Sequence, residues 1–100
     1  MSVEVTTIGN VTSISLSGDF DFSHQDMLEQ TFEQVINTKP SEIEINLLDT
    51  TFIDSSVIRM FLKLRDMARH NKSSLVIVNC SDRIREIFVI GGFDQIFTIN

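Results

Sequence analysis

Residues 43–58 read Ile43-Glu44-Ile45-Asn46-Leu47-Leu48-Asp49-Thr50-Thr51-Phe52-Ile53-Asp54-Ser55-Ser56-Val57-Ile58, and the change of rhythm inside them decides the fold. The first part alternates apolar with polar residues and then turns wholly apolar, the pattern of a central strand that ends at Asp49. From Asp54 or Ser55 the spacing becomes helical. Val57, Phe61, Leu64 and Ala68 recur on one stripe with Ile58 and Leu62 beside them, and Arg59, Lys63 and Asp66 fall on the wetter side.

The same alternation of rhythms continues in both directions. Upstream, Val3 and Val5 share one side of a strand, Gly9-Asn10 marks a tight turn, and Thr12, Ile14 and Leu16 interleave with Val11, Ser13 and Ser15 in a second strand. After Ser17-Gly18-Asp19 a helix begins at Ser23, where Ser23 and Asp26 resemble a capping box, and it carries Met27, Leu28, Phe32, Val35 and Ile36 as its apolar stripe. It ends before Lys39-Pro40, because a residue preceding proline is pushed out of the α region. Downstream, Leu75-Val76-Ile77-Val78 suits a strand buried on both faces. Ser81 then caps a helix with Ile84, Ile87 and Phe88, Gly91-Gly92 stops it, and Gln95 to Ile99 forms a last strand. The predicted order is ββαβαβαβ within one domain, residues 1–100.

Strands alternating with helices imply right-handed crossovers, so the class is α/β, with a mixed, mostly parallel sheet and helices packed against it. Binding sites in such sheets gather beyond the carboxyl ends of strands. Here those segments are Asp19 to Ser23, Asp49 to Ser56, and Asn79 to Asp82.

The chain has 100 residues, 42% hydrophobic and 22% charged, an ordinary globular mix with room for one core. Its longest apolar runs are too short to span a bilayer and no signal-like start is visible. A single cysteine, Cys80, cannot form an internal disulfide. The expected location is the cytoplasm. A net charge of −6 opposes general binding to nucleic acid or to an anionic membrane, which leaves protein partners. The charge is uneven: Lys39 is the only basic residue before Arg59, and Arg59, Lys63, Arg65, Arg69, Lys72, Arg83 and Arg85 follow.

Segment Asp49 to Ser56 brings two carboxylates and four hydroxyls to one rim. Asp54 or Ser55 as a helix cap, with the hydroxyls tying down turns, accounts for them structurally. A phosphate acceptor at Ser56, near the positive end of the helix, accounts for them functionally. Spacing leaves both readings open.

The stretch Asp49-Thr50-Thr51-Phe52-Ile53-Asp54-Ser55-Ser56-Val57-Ile58 resembles the signature of STAS domains of the anti-sigma factor antagonist family: aspartate, four residues, then Asp-Ser-Ser/Thr-Gly-aliphatic. Two further segments agree in the right order. Leu16-Ser17-Gly18-Asp19-Phe20-Asp21 is similar to the family's early strand end, and Ile90-Gly91-Gly92-Phe93-Asp94-Gln95-Ile96-Phe97-Thr98-Ile99 to its closing segment. The resemblance implies a single STAS domain without enzymatic activity or cofactor, acting as a partner switch. In its unphosphorylated form such a protein binds a serine kinase that is also an anti-sigma-type regulator. Phosphorylation by that kinase ends the binding, and a serine phosphatase restores it. Outputs in the family include sigma-factor release and control of biofilm or polysaccharide production.

By motif position the acceptor implied by the resemblance is Ser56, with Ser55 as its neighbour and Asp54 shaping the helix start. Position 57 is valine where the family has glycine, which sets a branched side chain beside the acceptor. The expected partner surface comprises Ser55, Ser56, Val57, Arg59, Met60 and Lys63 with Asp54, and Asp21, Phe22 and Ser23 from the adjoining loop. Exposed Val57 and Met60 would supply apolar contact, with packing of Met60 inside the fold the equal alternative, and Arg59 and Lys63 would pair with carboxylates.

Three other readings are weaker. A phosphate-accepting receiver domain, suggested by Asp19, Asp21 and Asp49, needs a lysine near a late strand, and none follows Lys72. A serine enzyme lacks the Gly-x-Ser-x-Gly elbow, and His24, His70 and Cys80 show no metal-ligand spacing. A STAS scaffold or oligomerisation module that has lost phosphorylation keeps the fold and drops the switch.

Overall fold

Gly9-Asn10 folds the first two strands into a hairpin, β1 (Ser2–Ile8) against β2 (Val11–Phe20), paired antiparallel from Ile8 with Val11 to Ser2 with Ser17. The computed structural model describes all 100 residues. A short 3-10 turn, Phe22–His24, leads into α1 (Gln25–Asn37), followed by β3 (Glu42–Asn46), β4 (Thr50–Ile53), α2 (Ser55–His70), β5 (Ser74–Val78), α3 (Asp82–Ile90), a 3-10 turn at Phe93–Gln95 and β6 (Thr98–Ile99). The sheet runs β1-β2-β3-β5-β6, every pair after the first is parallel, and β4 pairs with β2 beyond the end of β3. The α/β class and the mixed, mostly parallel sheet are those expected.

One strand was not foreseen. The predicted loop after Asp49 contains β4, so the order becomes ββαββαβαβ, and the central strand ends at Asn46. The cause is the length of β2. Val11 to Ser15 pair with β3, and Gly18 to Phe20 project past it with a free ladder edge. The chain steps sideways through a turn at Leu47–Thr50, where Thr50 N–H donates to Leu47 O, and then continues in the same direction as β3 along that edge. Thr50 Oγ1 donates to Leu16 O at 2.7 Å in a buried position, pinning the new strand. The register shifts at Gly18, which has φ +98° and donates its N–H to Asp49 O at 3.0 Å. Only glycine adopts that conformation without strain.

Helices cover one face of the sheet. Thr12, Ile14, Leu16, Ile43, Ile45 and Ile77 are buried beneath them, while Ser13, Ser15, Glu44, Val76 and Val78 on the other face are only partly covered. The expectation that β5 is buried on both faces is therefore corrected: Ile77 alone is fully enclosed, because no helix packs on the side of Val76 and Val78. The core of 21 apolar residues includes a file of rings. Phe61 lies between Phe32 and Phe88, at centroid distances of 6.3 and 6.5 Å, and Phe97 meets Phe88 edge-on at 5.6 Å. That last contact explains why the final strand is only Thr98–Ile99: the chain coils through Phe93–Gln95 to turn Phe97 inward.

Two helix starts differ in detail. Ser81 caps α3 as expected, accepting from Ile84 N–H at 3.2 Å, and Gly92 ends that helix region with φ +76°. Ahead of α1, Asp21 and not Ser23 does the capping, on the 3-10 turn Phe22–His24, and α1 proper starts at Gln25 with no side-chain cap of its own. Met27 sits at the rim, 39% exposed, outside the buried stripe of Leu28, Phe32, Val35 and Ile36. No helix is long and apolar enough to cross a membrane.

Phe88 is fully buried in the file of rings. Phe88→Ala is expected to cost about 3–5 kcal/mol, read as a lowered midpoint in urea denaturation, with an unchanged midpoint contradicting the assigned core.

Candidate functional site

β2 and β4 end side by side, with Phe20 paired to Ile53, so the segments that follow them emerge together. Asp54 N–H donates to Phe20 O at 3.3 Å, which continues the ladder by one step and fixes where the helix begins. Asp54 is the N-cap of α2, in extended conformation at φ −99°, ψ 175°. Its Oδ1 accepts from Val57 N–H at 3.1 Å and from Ser56 Oγ–H at 2.5 Å. One carboxylate oxygen thus holds both the helix start and the Ser56 hydroxyl. Ser56 is half-buried and Ser55 is exposed.

The adjoining segment repeats the device. Asp21 Oδ1 accepts from Ser23 N–H at 2.9 Å and from Ser23 Oγ–H at 2.5 Å, and those bonds from Ser23 hold the Asp21 carboxyl below its ordinary pKa of 3.8. His24 closes the turn by accepting Asp21 N–H at Nδ1, 3.1 Å away, with its ring 5.0 Å from that of Phe20. The signal for its role was its spacing of three from Asp21, which matches a reciprocal cap. Phe22, between the two capping partners, is 69% exposed.

Of the expected surface residues, Asp21, Phe22, Ser23, Asp54, Ser55 and Ser56 gather at this end, and Arg59 and Lys63 stand exposed farther along α2. Val57 and Met60 do not join them. They are 1% and 7% exposed, on the stripe of α2 that also buries Phe61 and Leu64, so the expectation that they offer apolar contact is corrected. The reason is the helix phase set by the Asp54 cap, which turns Val57 to the core. The exposed apolar groups at this end include Phe22 and, on β4, Phe52. Lys63 is partly committed: Nζ donates to Glu29 Oε1 of α1 at 2.7 Å, and this hydrogen bond, with the charge of Glu29, raises its pKa. Arg59 has no ion-pair partner within the chain.

Neither hollow in the molecule lies here. One of about 150 Å³ opens between the hairpin and α1, and one of about 200 Å³ lies along the acidic side of α1, lined by Asp26, Glu29, Gln30 and Glu33. The end bearing Ser56 is a surface of caps and short loops, suited to docking against a protein and lacking the 300 Å³ or more typical of small-molecule sites. His24, His70 and Cys80 do not converge as metal ligands. Cys80, two residues past the end of β5, has its thiol pKa pushed up by burial.

The model of the STAS domain matches residues 2–100. The chain belongs to the STAS domain family. A STAS-domain containing protein of Pseudomonas aeruginosa is 37% identical over 93 residues, covering 92% of this chain and 90% of its own length. An anti-sigma-B factor antagonist of Staphylococcus aureus is 24% identical over 100 residues, covering 100% of this chain and 93% of its own. Among solved structures, an anti-sigma factor antagonist from Mycobacterium paratuberculosis superposes with a TM-score of 0.87 at 20% identity, over 98% of this chain and 83% of that one. The phosphorylated form of SpoIIAA, a Bacillus cell fate determinant, superposes with a TM-score of 0.75 at 17% identity, over 99% and 91%. In this STAS domain the family signature thus occupies β4 and the first turn of α2.

The Asp21 cap gives a pH test. Because its pKa is lowered on folding, the stability it contributes is present above the ordinary value of 3.8 and is lost only as pH falls through the lowered one. A carbon-detected NMR titration of the Asp21 carboxyl is expected to show a midpoint below 3.8; a midpoint at or above it would contradict the two bonds from Ser23.

Proposed function

We propose that this STAS domain is an anti-sigma factor antagonist-type partner switch, with the Ser56 hydroxyl as its phosphate acceptor. The observation that carries the reading is the Ser56 Oγ–H bond to Asp54 Oδ1 in the first turn of α2, at the motif position of the family's acceptor. The unphosphorylated chain docks on a serine kinase that is also an anti-sigma-type regulator, and so frees what that regulator held. The kinase transfers phosphate to Ser56 and the complex separates. A serine phosphatase removes the phosphate. The chain acts by binding, in the cytoplasm, with no catalysis or cofactor of its own. Asp21, Phe22, Ser23, Asp54, Ser55 and Arg59 form the docking rim around Ser56, with Lys63 at its edge.

Burial of Val57 supports this reading. The residue that replaces the family's glycine turns its side chain into the core, 1% exposed, and so places nothing branched in front of Ser56. In the first helical turn valine also needs no unusual φ. A kinase therefore meets the hydroxyl with backbone, Ser55 and Asp54 around it.

Magnitudes favour a switch at the interface rather than in the fold. A phosphate adds about −1.5 to −2 charges. Each like charge held about 5 Å away costs on the order of 3 kcal/mol at an effective dielectric near 20. Asp54 and Asp21 already stand at this end, so a docked partner that presents carboxylates to Arg59 faces a repulsion worth about 100-fold or more in affinity. Within the free chain, the N–H groups of Ser55 and Ser56 open α2 ahead of its first hydrogen-bonded N–H, that of Val57, and the helix dipole favours an anion there, which offsets the neighbouring carboxylates. The fold is expected to persist.

Incubation with the cognate kinase and ATP, followed by intact-mass and fragment analysis, tests the reading. One added phosphate located on Ser56 and absent from Ser56→Ala is the expected result. No phosphate, or phosphate on Ser55 that survives Ser56→Ala, would overturn it.

A further inference from the structure

β1 is an edge strand without the usual protection. Sheet edges carry unpaired N–H and C=O groups, and proteins commonly guard them with lysine, proline, a bulge or brevity. The opposite edge, β6, is guarded by its length of two residues. β1 has seven residues, Ser-Val-Glu-Val-Thr-Thr-Ile, with one charge, no proline and unbroken register against β2.

The hydrogen-bonding phase of β1 follows from its neighbours. Asn10 O accepts from Glu42 N–H and Gly18 N–H donates to Asp49 O, so the even-numbered residues of β2 direct their backbone groups away from β1. The odd ones, Val11 to Ser17, therefore bond to Ile8, Thr6, Glu4 and Ser2. The outer edge is left with the N–H and C=O of Val3, Val5 and Thr7, all unpaired within the chain.

We propose that this edge pairs with the same edge of a second copy, antiparallel about a two-fold axis through Val5. Three two-fold registers centre on adjacent residues. Centring on Glu4 sets two carboxylates directly opposite, which is unfavourable, and uses fewer of the outer groups. Centring on Thr6 leaves Val3 unpaired. Centring on Val5 pairs Val3 with Thr7, Val5 with Val5 and Thr7 with Val3, satisfying all three residues on each side, and sets Glu4 opposite Thr6. On the helix side this register lays Val5, 45% exposed in the single chain, against its symmetry mate, beside the hollow lined by Thr7, Thr31, Gln34 and Val35. Occupation by a second copy is favoured over another peptide because the strand is complementary to itself in hydrogen bonds and free of opposed like charge.

Pairing of one seven-residue strand is a small interface, and each copy carries a net charge of −6. The dimer belongs to the weak, reversible class, near the lower limit of specific interfaces. Antiparallel pairing points the two β2 strands in opposite directions, so the Ser56 ends lie at opposite extremes and both stay open. The inference rests on backbone pairing alone and is independent of the phosphorylation reading.

Sedimentation of the full chain up to about 1 mM protein, the range in which weak association is populated, is expected to show a reversible dimer. Val5→Pro removes an outward N–H that β2 does not use, and is expected to raise the dissociation constant at least tenfold while circular dichroism keeps the folded spectrum. Register is read separately by crosslinking in a Cys80→Ser background with oxidised glutathione: Val5→Cys sits opposite itself within disulfide reach, whereas Ile8→Cys, 83% exposed, does not. Preferential crosslinking of Val5→Cys supports the proposal. A wild type that remains an 11.4 kDa monomer throughout, a dimer indifferent to Val5→Pro, or equal crosslinking of the two cysteine variants would overturn it.

Discussion

A single carboxylate oxygen, Asp54 Oδ1, joins the architecture of this STAS domain to its surface chemistry. Asp54 N–H completes the ladder on Phe20 O, and Oδ1 receives both Val57 N–H and the Ser56 hydroxyl. The first bond sets where α2 starts, the second sets its phase, and the third holds the hydroxyl in place. Because the phase is fixed, Val57, Ile58, Met60 and Phe61 are driven into the core and Ser55, Arg59 and Lys63 face water. The position of the Ser56 hydroxyl is thus a consequence of the fold's own ladder.

The same logic explains why the functional end is flat. β4 fills the space beyond β3 and pins itself through the buried Thr50–Leu16 bond, so no cleft remains between the strand ends. What stands there is a pair of Asp-x-Ser caps, Asp21 with Ser23 and Asp54 with Ser56, each with one oxygen gripping a hydroxyl. A surface of this kind discriminates through charge and shape at contact range. Covering the sheet on only one face has a second result: the domain must manage an open sheet face and two edges, and it shields one edge by brevity alone.

Much of this was legible in residue order. The strand-to-helix rhythm of residues 43–70, the Ser81 cap and the Gly91-Gly92 stop are local, and local chemistry specifies them. β4 was not legible, because Thr50-Thr51-Phe52-Ile53 is too short to show a period and owes its conformation to the unpaired end of β2, more than thirty residues away by its Thr50–Leu16 bond. Met60 could be read either as buried or as exposed, since Arg59 and Lys63 flank it and only the cap fixes its angle. The Asp21–His24 cap replaced the expected Ser23–Asp26 box because both begin with a good N-cap residue, and contact between His24 and Phe20 favours the earlier one. Asp54 caps α2, and Ser55 and Ser56 open its first turn. The switch itself is proposed on their geometry and on the family resemblance.

Calorimetric titration of the purified kinase with two forms of this chain, unmodified and quantitatively phosphorylated on Ser56, addresses the central claim most directly. The account predicts a dissociation constant at least about 100-fold weaker for the phosphorylated form, with both forms folded. Equal affinity of the two forms would contradict it.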